Sequence, residues 1–284
     1  MTSDIPGSGR PSPQKQVVVL DDGALSTDAL KRLSAYASEL ELIGSSPDSP
    51  TRAALDELGI PHRDVEAEAT VGGAIEYASA NGIDTVVTGR PEKPQEWMRS
   101  ALTGVAAVAT AGGEAPAIHV LSSSNVASGP VVVASTTGEI AGPEARIAVE
   151  YAARLGHDVE IVTPTKADDD VDTDAAVERA ATYGVKLERR AVEDPATDMV
   201  VRAASISAVV LGVLDLAGRG KLDAGEDVSK KALSDGQARE VIDAITASPP
   251  HDVLVFFNGV RLVGGEETGG DTGSHLTDGA QPAL

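Results

Sequence analysis

Two stretches of the chain carry residue types suited to holding an anion. In the first, TGRPEKPQEWMRSALTG (88–104), Gly89 follows a β-branched run and Gly104 closes the segment. A glycine behind a buried strand lets backbone N–H groups close on phosphate oxygens, and a helix N-terminus adds positive potential. Pro91 and Pro94 stand inside this loop, however, and proline has no N–H to donate. The second stretch, LGVLDLAGRGKLDAGEDVSKKALSDG (211–236), contains Gly212, Gly218, Gly220, Gly225 and Gly236. Its AGRGK core can wrap a phosphate with Arg219 and Lys221 as counter-charges, and Lys230 with Lys231 adds the densest basic patch of the chain. A solvated excursion between a strand and a helix accounts for the same composition, and the residues alone leave both readings open.

Other chemistry is thinly represented. His62, His119, His157, His251 and His275 are scattered without metal-ligand spacing, and turns, strand ends and tails are their expected places. No Walker loop, G-x-S-x-G elbow or H-E-x-x-H pair occurs. The acidic run ADDDVDTD (167–174) lacks the glycine and terminal glutamate of a calcium loop, so no metal is assigned. Trp97 is expected in core or interface packing. The absence of cysteine excludes disulfides, thiolate metal sites and a cysteine nucleophile.

The charge narrows the partners. Asp and Glu number 44 against 23 Lys and Arg, giving a formal charge of -21, and only 8 of the basic residues are Lys. An acidic, Lys-poor, Ala-rich chain is what multimolar salt favours, because carboxylates hold water and cations while screening removes their repulsion. A halophilic source is the expectation. No basic stripe for duplex nucleic acid is present, and no apolar run reaches membrane-spanning length. MTSDIPGSGRPSPQKQ at the N-terminus lacks the apolar stretch of a signal peptide, so a cytoplasmic location is expected.

The elements that must position these residues alternate between β-rich and helical patterns, twice over. Strands are expected at Gln16–Leu20, Leu40–Ile43, Arg63–Ala67, Asp84–Thr88 and Ala117–Leu121, then at Pro130–Ala134, Asp158–Thr163, Lys186–Arg190, Ala208–Leu211 and Asp252–Phe257. Helical patterns lie between them, with Ser26 and Ser49 as N-caps and Gly59 and Gly82 at helix C-termini. A βαβαβαβαβ order in each half implies an α/β fold of two doubly wound parallel-sheet domains, more readily than one large sheet. The expected division is a tail at 1–15, domains at 16–124 and 130–262, a hinge at 125–129 and a second tail at 263–284.

On these residues the chain resembles the universal stress protein family. AIEYASANGIDTVVTGR and DMVVRAASISAVVLGV are similar to the helix, turn and strand before the family's nucleotide loop, and GVAAVATAGGEAPAIHVL (104–121) resembles its closing helix, proline and last strand. VVVLDDG resembles its first strand, with Asp22 as the matching acid. The resemblance implies an adenine-nucleotide-binding type of fold with ligand at the carboxyl ends of the strands. It also implies a pseudo-dimer of the two domains, meeting through the last strand of each, or a homodimer.

Binding members carry Gly-x-x-Gly, nine residues, then Gly followed by Ser or Thr. Counted back from Gly104, the first two glycines fall on Pro91 and Pro94, and Val105 replaces the hydroxyl residue. Asp22, Gly89 and Gly104 therefore mark a degenerate site. In the second domain Thr136 stands in place of the acid, and Gly212, Gly218, Arg219, Gly220, Lys221 and Gly236 are the candidates for ATP, another adenine nucleotide or another anion. The expected role is non-catalytic and regulatory. A ligand-free interaction module serving an unidentified transporter or enzyme is one alternative, and an adenylate-utilising enzyme is another.

Overall fold

Valine-rich runs without polar alternation need cover on both faces, which a parallel sheet wrapped in helices provides. The computed structural model describes residues 16–21, 25–35, 37–123, 128–134, 142–165, 174–214, 236–247 and 250–258. The expected tails, most of the hinge, the acidic run 167–173, Thr136 and His275 lie outside the described residues.

The first half runs β1 (Val17–Leu20), α1 (Thr27–Ser34), β2 (Leu40–Ile43), α2 (Pro50–Leu58), β3 (His62–Asp64), α3 (Val71–Ala80), β4 (Thr85–Thr88), α4 (Pro94–Thr110) and β5 (Ala117–Val120). The second half runs β6 (Val131–Ala134), α5 (Gly142–Leu155), β7 (Val159–Pro164), α6 (Asp174–Tyr183), β8 (Leu187–Val192), α7 (Pro195–Arg202), β9 (Ala208–Leu214), α8 (Gly236–Thr246) and β10 (Asp252–Asn258). Most strands begin and end within two residues of expectation. The third strand begins at His62 instead of Arg63 and stops at Asp64 instead of Ala67, and β9 runs on to Leu214.

The ten strands form one sheet in the order β3-β2-β1-β4-β5-β10-β9-β6-β7-β8. Each half has the same internal order, and the halves face each other across β5 and β10. That pair is antiparallel, with Val253 opposite Val120, Leu254 opposite His119 and Val255 opposite Ile118. The other ladders among the described residues are parallel. The halves thus share a sheet, joined through a ladder three registered pairs long.

Local chemistry sets the helix ends. Ser26 Oγ accepts from Ala29 N at 3.2 Å, and Ser49 Oγ from Thr51 N at 3.1 Å, leaving fewer orphan donors at those N-termini. Gly59 closes α2 at φ 67°, where a side chain would be strained. One face of the sheet packs a core with α1, α2, α5 and α6, including Leu30, Leu33, Leu55 and Tyr151. The other packs α3, α4 and α8 through Ile75, Met98, Leu102 and Val241. Trp97 belongs to this second core.

Buried acids recur at matching places. Glu41 on β2 is 1% exposed, paired with Arg63 and accepting from Tyr77 Oη at 2.7 Å. Glu160 on β7 accepts from Arg202 at 2.6 Å and from Arg190. Burial raises the Glu160 pKa, but the arginine hydrogen bonds outweigh it and leave the carboxyl below its ordinary value.

Glu240 on α8 is the opposite case. Burial, and then the charge of Asp243, push its carboxyl from 4.5 up to about 7. The folded pKa lies above the unfolded one, so the native state binds more protons between those values and stability falls as pH rises through that window. E240Q should therefore raise the unfolding midpoint at pH 8 and leave it unchanged near pH 4. Thermal unfolding of both proteins across this range checks it, and parallel curves would refute the assignment.

Candidate functional site

The carboxyl ends of β1 and β4 form the crevice in which a doubly wound sheet holds its ligand. Asp22 lies outside the described residues. Its neighbour Asp21 takes a hydrogen bond from Ser49 Oγ, so that acid steadies the N-cap of α2. Gly89 is buried directly behind β4, and Thr88 Oγ1 donates to its carbonyl at 3.0 Å.

Beyond Gly89 the loop is brief. Pro94 is the first residue of α4, a position that suits proline because its missing N–H would have had no helical acceptor. Lys93 pairs with Glu96 at 3.2 Å on the surface, both side chains well exposed. Arg90 is half-buried, and burial lowers its pKa while the charge of Asp252 opposes the shift.

Gly104 stands well inside α4, not at its start. A Cβ there would come within 2.5 Å of Gly72 O and 2.7 Å of Gly72 Cα on α3. Gly72 in turn donates to Ser100 Oγ at 3.1 Å, so α4 helps cap the first turn of α3. The glycine that the resemblance assigned to a phosphate serves here as a helix crossing. With prolines at 91 and 94 and the Gly104 amide inside a helix, the first-half loop does not present the three backbone N–H donors that the resemblance assigned to a phosphate.

In the second half Gly218, Arg219, Gly220 and Lys221 lie outside the described residues, as do Gly225, Lys230 and Lys231. Gly212 lies in β9, and a Cβ on it would overlap the carboxylate of Glu144, a 3% exposed residue in the first turn of α5. Gly236 opens α8 with clear space where a Cβ would stand. Among the described residues no group of three or more His, Asp or Glu side chains is placed to hold a metal ion. Among them, too, no helix is long and apolar enough to cross a membrane.

A buried polar cluster at the seam has no counterpart among the residues singled out from the sequence. Asp252 opens β10 at the seam of the two halves and is 0% exposed. Arg32 of α1 reaches it twice, Nη2 to Oδ1 at 3.0 Å and Nε to Oδ2 at 3.2 Å, and also donates to Ser122 O at 2.7 Å. Ser122 N donates to Oδ1 at 2.7 Å, and Tyr151 Oη of α5 donates to Oδ2 at 2.9 Å. His251 precedes this acid and lies 3.2 Å from Ala203 O.

His119 is inside β5 instead of at a strand end or turn, edge-on to the Tyr151 ring at 5.4 Å between centroids. Burial, then the nearby Arg154 charge, lower its pKa to about 3, so it is neutral at ordinary pH. The sequence signals were a lone imidazole in AIHV and an acid opening the apolar run DVLVFF.

No protein-family profile and no curated protein matches the chain by sequence. In fold it is similar to a universal stress protein from Archaeoglobus fulgidus, at 11% identity and a TM-score of 0.55, over 87% of this chain and 98% of that one. It is also similar to the cytoplasmic domain of a prokaryotic cation chloride cotransporter, at 12% identity and a TM-score of 0.50, over 86% and 95% of the two chains. The chain has the mostly parallel α/β fold of a universal stress protein.

Proposed function

We propose that this chain is a non-catalytic regulatory module of universal stress type, a pseudo-dimer of its two halves that responds to an adenine nucleotide or another anion through the second half. The observation that carries the reading is the use of Gly104 as a packing surface for α3, in a half whose loop has lost two backbone donors. A fold kept while its phosphate cradle is converted to packing supports recognition and conformational response over turnover. Arg219 and Lys221 are the cations through which the second half would bind. The acidic surface supports work in concentrated salt.

The test is thermal unfolding in about 2 M KCl, where exposed charges are fully screened, with and without ATP, ADP and AMP. A ligand that binds the native state at 100 times its dissociation constant adds about 2.7 kcal/mol. The wild type should show a raised midpoint, and R219A/K221A should not. An equal shift in both proteins would remove these residues from the site. No shift with any nucleotide would favour the second reading, a ligand-free interaction module, which the similarity to a cotransporter's cytoplasmic domain supports.

A further inference from the structure

At the amino ends of β4 and β5, away from the nucleotide crevice, a cavity of about 370 Å³ opens between the halves. The first half contributes Asp84, Glu114, Ala115 and His119, and the second contributes Arg146, Tyr151, Arg154 and Phe256. The volume lies in the range of small-molecule sites. Its walls are apolar at Ile83, Pro116, Ile147 and Phe256.

Arg154 sets the chemistry. Its Nε is buried without a hydrogen-bond partner. Among the described residues no acid lies within ion-pair distance of its guanidinium. Glu150, one helical turn away on α5 and itself on the cavity wall, is already paired with Arg179 of α6. In a chain with nearly two acids per base, Arg32, Arg52, Arg63, Arg179, Arg190 and Arg202 are paired with carboxylates, whereas among the described residues Arg154 and the more exposed Arg146 on the same cavity wall are not. A cation left without one while lining a cavity has an unmet demand for an anion.

We propose that this cavity binds a small organic monocarboxylate, its carboxylate held by Arg154 and its apolar body set against Ile83, Pro116 and Phe256. Asp84 and Glu114, both exposed at the rim, repel a polyanion and so select a single charge over a di- or triphosphate. His119, buried and neutral on the cavity wall, adds no competing cation. Since both halves line the cavity, its occupant bridges the seam. The site does not depend on the nucleotide reading, and a protein indifferent to ATP could still fill it.

Butyrate and inorganic phosphate are the probes, titrated at the lowest KCl concentration that preserves the native circular dichroism. Butyrate should shift the His119 imidazole and Phe256 ring NMR signals saturably. R154Q should weaken that binding about 10–100-fold, the usual effect of losing a charged hydrogen bond. R154Q should also fold as stably as wild type without ligand, because it removes an unpaired group. A115F, which fills the cavity and leaves the charges alone, should abolish the shifts.

Four results would overturn the proposal. The first is no saturable shift up to about 50 mM butyrate, well above weak specific binding. The second is butyrate binding unaffected by R154Q and A115F, which places it elsewhere. The third is a marked loss of ligand-free stability in R154Q, which makes Arg154 structural. Saturable binding of phosphate but not butyrate would refute the monocarboxylate assignment.

Discussion

D252A is expected to lower the stability of the protein by about 3–5 kcal/mol, the usual effect of removing one partner of a buried ion pair. Asp252 is fully buried and accepts from Arg32, Ser122 N and Tyr151 Oη together. Its removal takes the carboxylate from Arg32, 17% exposed at the side chain, and the acceptor from one backbone and one hydroxyl donor. For a chain of this size the unfolding midpoint should fall by roughly 10 °C. The four groups come from both halves, and the β5–β10 ladder between them has three registered pairs, so the damage should concentrate at the seam.

Amide exchange at Ile118, Val120 and Val253 should accelerate more in D252A than exchange at Val18 or Val132, which lie on the central strand of each half. Concentrated KCl should not rescue the variant, because a buried pair is little screened, whereas an exposed pair such as Lys93–Glu96 should be silent in the same salt. R32M strands the carboxylate instead of the guanidinium, and D252N/R32M should cost less than the sum of the two single changes. A loss below about 1 kcal/mol in D252A would mean that the seam is held by the apolar ladder alone.

The reach of the sequence follows from which signals are local. VVVL, TVVT and VVVA were legible as strands because short apolar β-branched runs between turn residues have few other uses. Ser26, Ser49 and Gly59 were legible because a cap depends on atoms within four residues of it. The seam was not legible in its residues, because Arg32 and Asp252 are 220 positions apart and nothing near either one names the other. His119 gave a weak signal, a lone imidazole in AIHV, but its meaning depends on Tyr151 and Arg154 from the other half. A conflict over Gly104 was present in the letters themselves. The run QEWMRSALTGVAAVATA (95–111) is helical throughout in its pattern, whereas the family likeness of 104–121 would open the closing helix at Gly104; both cannot hold, and Pro94 at the first helical position decides for the longer helix.

That longer helix yields the second large effect. In G104V the new Cβ would lie 2.5 Å from Gly72 O and 2.7 Å from Gly72 Cα, and backbone atoms cannot swing aside as a side-chain tip can. The helices α3 and α4, the most extensively packed helix pair among the described residues, must separate. Overpacking of this kind costs about 1–3 kcal/mol, and the intermediate G104A regains up to about 1 kcal/mol from the better helix propensity of alanine. The stability order should be wild type, then G104A, then G104V. Separation also pulls Ser100 Oγ from the Gly72 amide, so exchange at that amide should rise in step. A glycine serving a phosphate would behave differently, because its replacement would leave the ligand-free midpoint nearly unchanged and abolish the midpoint shift with ATP. Measuring both midpoints in the three proteins separates the roles, and a ligand-free midpoint in G104V equal to that of the wild type would rule out the packing role.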